Sequence, residues 1–256
     1  MVRVTVRVSF HSRFSSPDAP PDVSDLCQTI IWFFAGYVKQ IMPIIGIIGR
    51  IGGKWYTVQN EAAWGDKRMD EQAIRKLLEE KGALRIGHFL RASGRHSDHY
   101  VQCARLFEQA DTGAQIGQLL AQRFENSGAQ LVLSAALGGL LPGYEVSRTL
   151  LLPFIYCERR DGALTLGRGF DIAPGSRVLI IEDEVQTGTS VREMMEIVKA
   201  LQGHVAGVGC IVDKSGGSLD FAVPFVALVT SKVASYPAKQ CPLCRQGLTL
   251  GTAGTT

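Results

Sequence analysis

The fold is decided by the stretch Val178-Leu179-Ile180-Ile181-Glu182-Asp183-Glu184-Val185-Gln186-Thr187-Gly188-Thr189-Ser190. Its four leading apolar residues predict a fully buried strand of a parallel sheet. The acid pair Glu182 and Asp183 follows the apolar run directly, and Glu184 adds a third acid beside the pair. Because ligands of such sheets bind beyond the carboxyl ends of the strands, we expect Glu182 and Asp183 to lie in a binding site.

The loop at residues 187–190 predicts an anion site, because it leads into an amphipathic helix expected over 190–202. Backbone N–H groups at a helix N-terminus point at the ligand, and the helix dipole favours negative charge. One turn thus offers carboxylates for sugar hydroxyls or a metal, and donors for a phosphate, which suits a sugar phosphate. The structural alternative is a plain strand–turn–helix with Ser190 as N-cap. Stability alone explains adjacent acids after a buried strand poorly, so we favour the functional interpretation.

The rest of the second half of the chain alternates between short apolar runs and helical segments. Such alternation predicts an α/β fold, a doubly wound and mostly parallel sheet with right-handed crossovers. Further strands are expected at 131–135, 154–157, 205–212 and 225–229, and further helices at 112–126 and 139–150.

A change in character near residue 68 divides the chain into an atypical N-terminal extension, 1–68, and a main domain, 69–256. The extension carries 8 basic and 5 acidic side chains, whereas the main domain carries 19 of each. A neutral main domain argues against a nucleic-acid partner, whose affinity would come from phosphate neutralisation. Met69 opens a well-formed amphipathic helix and is a candidate true start of the protein.

The apolar stretch at 26–51 is the one candidate for a membrane segment. A transmembrane helix needs about 20 predominantly apolar residues. Lys39, Pro43, Gly46 and Gly49 interrupt this stretch, and a long polar segment precedes it. We therefore favour a region that is not a functional part of the domain over a weak membrane segment.

Metal binding finds little support in the sequence. Cys241 and Cys244 form a lone C-x-x-C, and structural zinc sites generally need a second ligand pair. His96 and His99 lie in a predicted Ser/Gly-rich turn close to His88, without a carboxylate-rich partner set. The remaining cysteines are isolated and read as small buried hydrophobes in a reducing compartment.

The strand, acid pair and loop resemble the phosphoribosyl-diphosphate signature of the type I phosphoribosyltransferases. Within that superfamily, the chain resembles the orotate phosphoribosyltransferase family over about residues 69–250. The matching segments are the substrate segment at 87–100, the diphosphate loop at 134–139, the mobile catalytic loop at 158–170, the position of an Asp-Arg pair at 213–214 and the tail at 236–244.

The resemblance implies a type I phosphoribosyltransferase fold with a small N-terminal hood. It implies transfer of a phosphoribosyl group from 5-phosphoribosyl 1-diphosphate to orotate, giving orotidine 5′-phosphate and diphosphate for pyrimidine synthesis. Mg²⁺ would be the cofactor, held mainly through substrate and water without direct protein ligands. The enzyme would be a cytoplasmic homodimer with no nucleic-acid or membrane partner.

The resemblance also implies roles for individual residues. Glu182, Asp183 and Arg159 would be catalytic, and Gln186 and Lys214 would face the orotate carboxylate. The phosphoribosyl diphosphate would be bound by Arg159, Arg160, Glu182, Asp183, Glu184, Val185, Gln186, Thr187, Gly188, Thr189 and Ser190.

The departures from the family pattern fall on the base-binding half of the site. The family usually has Thr at Gln186 and Arg at Lys214, and Lys cannot make the planar two-pronged grip that Arg gives a carboxylate. One alternative is therefore a phosphoribosyltransferase for another base, although the segment 87–100 argues against a purine. Another is a non-catalytic regulator that binds the sugar phosphate; it should carry a DNA-binding domain, and residues 1–68 show no helix-turn-helix pattern.

Overall fold

The computed structural model describes residues 47–51, 54–58, 69–91 and 93–252, and the chain divides into units 1–67 and 68–256. In the first unit, β1 (Ile47–Ile51) and β2 (Lys54–Val58) pair as an antiparallel hairpin. The rest of the apolar stretch weighed as a membrane segment lies outside the described residues. Within the described ranges, no helix has the length and apolar character needed to cross a membrane.

The second unit is built on a six-stranded sheet. Its strands are β5 (Leu131–Ala135), β6 (Phe154–Arg160), β7 (Ala163–Leu166), β8 (Arg177–Val185), β9 (His204–Asp213) and β10 (Phe225–Thr230). They lie in the order β10-β9-β8-β5-β6-β7, and all neighbours are parallel except β6 and β7. The predicted mostly parallel α/β sheet is confirmed.

Helices cover both faces of this sheet. They are α1 (Glu71–Glu80), α2 (Ala110–Gln122), α3 (Leu140–Leu150) and α4 (Thr189–Ala200). Because successive side chains of a strand point to opposite faces, β8 contributes to two cores. Leu179 and Ile181 pack in the core that α2 and α3 share, whereas Val178 and Ile180 pack in the core of α4. This burial on both faces explains why β8 reads as a continuous apolar run.

A second sheet of four strands forms the hood. It contains β3 (Leu84–Leu90), β4 (His96–Val101), β11 (Ser235–Tyr236) and β12 (Gly251–Thr252), in the order β11-β4-β3-β12. The hood is therefore not purely N-terminal, because its two edge strands come from the C-terminal end. Before β12 lie a short 3₁₀ helix (Ala238–Gln240) and α5 (Pro242–Arg245).

The structure corrects two local predictions from the sequence. His96 and His99 lie on β4 and not in a turn, because the turn ends before residue 96. Ser190 is not the N-cap of α4: that position belongs to Gly188, whose φ of +74° suits a residue without a Cβ.

Candidate active site

The acid pair lies inside β8, near its carboxyl end, and not after the strand as the sequence indicated. β8 is a central strand between β5 and β9, so Glu182 is only 6% exposed. Burial, with a smaller contribution from Asp183, raises the pKa of Glu182 to about 8. Burial and the charge of Glu184 raise the pKa of Asp183 to about 6. Such perturbed carboxyl groups are typical of functional sites.

The predicted diphosphate loop lies directly against these carboxyl groups, because the parallel neighbours β5 and β8 end at the same edge of the sheet. A Cβ on Gly138 would lie 2.6 Å from both carboxylate oxygens of Asp183. A Cβ on Gly139 would lie 3.0 Å from Oε2 of Glu182 and 2.9 Å from the carbonyl oxygen of Ala135. Both glycines therefore let the backbone of the loop approach the two carboxyl groups more closely than a residue with a Cβ could.

The loop that follows β8 presents the N-terminus of α4. No side chain within the described part of the chain caps this helix, so the N–H groups of its first turn are available to an anion. The hydroxyl oxygens of Thr187 and Thr189 lie 3.0 Å apart at the same place. A Cβ on Gly188 would lie 2.8 Å from the ring of Phe221, so the tight turn needs glycine for space as well as for its φ.

Lys214 is paired within the protein. Its Nζ donates a hydrogen bond of 2.7 Å to Oε1 of Glu184, and its side chain is 9% exposed. The carboxylate of Asp213 accepts hydrogen bonds from the backbone N–H groups of Ser215 and Gly217, which orders the turn after β9. The positive charge of Lys214, which was expected to face a base, is thus compensated by Glu184.

Arg91 is a residue that the sequence interpretation missed. It follows β3 in the hood, and its Nη2 donates a hydrogen bond of 2.7 Å to Oε1 of Gln186. The hood therefore brings a half-buried guanidinium to the residue expected to face the base. The signal in the sequence was its position inside the expected substrate segment, 87–100.

Arg159 and Arg160 lie on β6, which forms a hairpin with β7 where a catalytic loop was expected. Arg159 pairs with Glu193 of α4, with 3.2 Å between Nη2 and Oε2. Arg160 pairs with Glu158, with 3.3 Å between Nη2 and Oε2. Both arginines have acidic partners in the same chain, and their contact with a diphosphate stays a prediction.

Comparisons with known proteins show what the chain is similar to. The model of the phosphoribosyl transferase domain matches residues 104–221. The chain is 40% identical to the orotate phosphoribosyltransferase of Caldanaerobacter subterraneus subsp. tengcongensis over 187 residues, which cover 73% of this chain and 98% of that protein. It is 43% identical to that of Thermotoga maritima over 175 residues, which cover 68% and 94%.

Solved structures share the fold. The orotate phosphoribosyltransferase of Aeropyrum pernix matches with a TM-score of 0.50 and 24% identity, over 61% of this chain and 93% of that chain. The Mycobacterium tuberculosis enzyme in complex with inorganic phosphate matches with a TM-score of 0.51 and 21% identity, over 63% and 95%.

Proposed function

We propose that this chain, which belongs to the orotate phosphoribosyltransferase family, transfers the phosphoribosyl group of 5-phosphoribosyl 1-diphosphate to orotate. The observation that carries the proposal is the buried acid pair on β8, in contact with a glycine loop and followed by an uncapped helix N-terminus. These parts supply, in one place, partners for ribose hydroxyls, a diphosphate and a 5′-phosphate.

The acid pair acts on the sugar in this mechanism. The 5′-phosphate binds the first turn of α4, and Glu182 and Asp183 accept hydrogen bonds from the ribose hydroxyls. The bond from ribose C1 to the diphosphate oxygen breaks, and its electron pair leaves with diphosphate. A ring nitrogen of orotate forms the new bond to C1, and its proton passes to solvent. Because positive charge develops on the ribose, ionised carboxylates close to the ring stabilise the transition state more than the ground state.

The residues of the site fit a magnesium ion that arrives with the substrate. Mg²⁺ prefers oxygen ligands and keeps several waters, and Glu182 and Asp183 offer carboxylate oxygens whose burial disfavours ionisation without a nearby cation. These two residues would hold the ion through water and the ribose hydroxyls. When bound, Mg²⁺ supplies charge neutralisation for the diphosphate leaving group.

Two cations are available for the orotate carboxylate. Lys214 was expected to supply the charge, but Glu184 already compensates it. Arg91 carries a planar guanidinium that suits a carboxylate. Its Nη2 donates a hydrogen bond to the neutral amide oxygen of Gln186. We therefore assign the carboxylate contact to Arg91 together with Gln186, with Lys214 and Glu184 as a neutral pair beside them.

A phosphoribosyltransferase for another base is the second candidate, and the compensated charge of Lys214 is the observation that favours it. The test measures diphosphate release from 5-phosphoribosyl 1-diphosphate and Mg²⁺ with orotate, uracil, hypoxanthine and adenine in turn. Release with orotate alone supports the proposed function. Release with another base and none with orotate supports the second candidate, and binding of the sugar phosphate with no release for any base supports the non-catalytic regulator.

We also propose a cytoplasmic homodimer. Three apolar side chains at and after the predicted diphosphate loop are exposed, and a second copy of the chain would cover them: Leu137, Leu141 and Tyr144. A dimer would also let Arg159 and Arg160 reach the partner's diphosphate, as the resemblance implies. Sedimentation velocity tests the assembly, and Leu141→Asp should shift it towards the monomer. The described cysteines form no disulfides, which agrees with a reducing compartment.

A further inference from the structure

A second group of reactive side chains lies in the hood, outside the candidate active site. The group consists of His88 on β3, His96 on β4, and Cys241 and Cys244 in the α5 segment. Each residue offers one ligand atom, and these four atoms all lie within 4.8 Å of one another. The two histidines and Cys241 are buried, whereas Cys244 is exposed. Three separate segments of the chain therefore converge on one place.

The distances within the group fit a single small ion. Sγ of Cys241 lies 3.5 Å from Nε2 of His88. Sγ of Cys244 lies 3.6 Å from the same nitrogen and 3.3 Å from Nδ1 of His96. Around tetrahedral zinc, with bonds of about 2.3 Å to sulfur and about 2.0 Å to nitrogen, sulfur and nitrogen ligands are separated by about 3.5 Å. The two histidine nitrogens are closer, at 2.9 Å.

A backbone contact orients one of the ligands. Nδ1 of His88 lies 2.9 Å from the carbonyl oxygen of Leu248, which can only accept a hydrogen bond. Nδ1 therefore carries the proton, and the lone pair of Nε2 faces the thiols and His96. Metal-binding histidines generally donate their other ring N–H to a carbonyl or carboxylate in this way.

We propose that His88, His96, Cys241 and Cys244 form a structural zinc site of the Cys₂His₂ type. Tetrahedral sites with two sulfur and two nitrogen ligands favour zinc. Four protein ligands leave no open position for water, so the ion is structural and not catalytic. It joins the C-terminal segment to the two central strands of the hood, where β11 already pairs with β4 and β12 with β3.

The test begins with the full chain, purified in reducing buffer without added metal and analysed for bound metals. We expect about one zinc per chain, and visible absorption typical of tetrahedral cobalt with thiolate ligands when Co²⁺ replaces zinc after chelation. Removal of zinc should lower the thermal midpoint by several degrees, and zinc should restore it. Because metal content is measured without substrate, this result is independent of the proposed function.

Variants connect the metal to these residues. Cys244→Ser, at the exposed ligand, should retain the fold and lose nine-tenths or more of the zinc, and His96→Gln should do the same. The matched controls Cys157→Ala and His204→Gln change residues outside the group and should keep the full zinc content. Full zinc content in Cys244→Ser would overturn the assignment. Reduced wild-type protein that binds neither zinc nor Co²⁺ would overturn it too. So would wild-type protein that is isolated with a Cys241–Cys244 disulfide in place of metal.

Discussion

Replacing Glu182 with glutamine should stabilise the protein at neutral pH, although it removes a carboxyl group to which we assign a catalytic role. Burial raises the pKa of Glu182 from 4.5 to about 8. Between these values the folded state binds more protons than the unfolded state, so the free energy of unfolding falls as pH rises. The stability that the protonated carboxyl provides is fully present below pH 4.5 and is lost as pH rises through 8.

The magnitude follows from the pKa difference. Each pH unit inside the window lowers the free energy of unfolding by about 1.4 kcal/mol, so the ionisable group costs about 3 kcal/mol at pH 7 relative to a side chain that cannot ionise. Glutamine has a similar shape and no charge. The stability advantage of the variant over the wild type should therefore grow steadily from pH 5 to pH 8. The raised pKa of Asp183, about 6, adds its own pH dependence of stability below pH 6, and this is the same in both proteins.

The assay is urea unfolding at pH 5, 6, 7 and 8 at constant ionic strength. Glu196→Gln, on the exposed face of α4, is the control and should follow the wild type at every pH. A Glu182→Gln variant that loses stability with pH as steeply as the wild type, or that is the less stable protein at pH 8, would refute this account of the site.

Further predictions concern the rest of the site and the domain boundary. Asp183→Asn should lower kcat by about a hundredfold or more with the fold intact, because it removes charge beside the developing cation; circular dichroism and steady-state kinetics check both. Gly138→Ala should lower kcat/KM at least about tenfold, since its Cβ would meet the Asp183 carboxylate, and near-normal kinetics would contradict the close approach. Arg91→Ala should raise the KM for orotate about tenfold and leave the KM for 5-phosphoribosyl 1-diphosphate nearly unchanged, whereas Lys214→Ala should mainly lower thermal stability by leaving Glu184 unpaired; the reverse pattern would return the carboxylate contact to Lys214. A chain that begins at Met69 should fold and retain full activity, and loss of either would show that residues 1–68 belong to the domain.

The central sheet could be predicted from the sequence because each of its parallel strands is a short apolar run. The position of the acid pair beside the loop that leads into α4 could be predicted because these residues are consecutive in the chain, and their binding roles stay predictions. The hood could not: β11 and β12 have two residues each, too few for any periodicity, and β4 is the polar segment His-Ser-Asp-His-Tyr-Val. Its strands are specified by pairing with distant residues.

The same reason explains which site contacts were missed. The contacts between Arg91 and Gln186, and between Lys214 and Glu184, join residues 95 and 30 positions apart. The Cys-x-x-Cys pair looks isolated in the sequence because its histidine partners precede it by about 150 residues and have no characteristic spacing. The available signal was that His88 and His96 lie eight residues apart in a chain with a single Cys-x-x-Cys pair.

The division of the hood between the two ends of the domain sets an order for its assembly during synthesis. During synthesis β3 and β4 emerge before the central sheet, whereas the strands that flank them and the cysteines beside His88 and His96 emerge after it. All strands of the central sheet precede these segments in the chain, so that sheet can form before the hood is complete. The hood is completed only after residues 235–252 have emerged. A product that ends before β11 would therefore contain every strand of the central sheet but only the two inner strands of the hood.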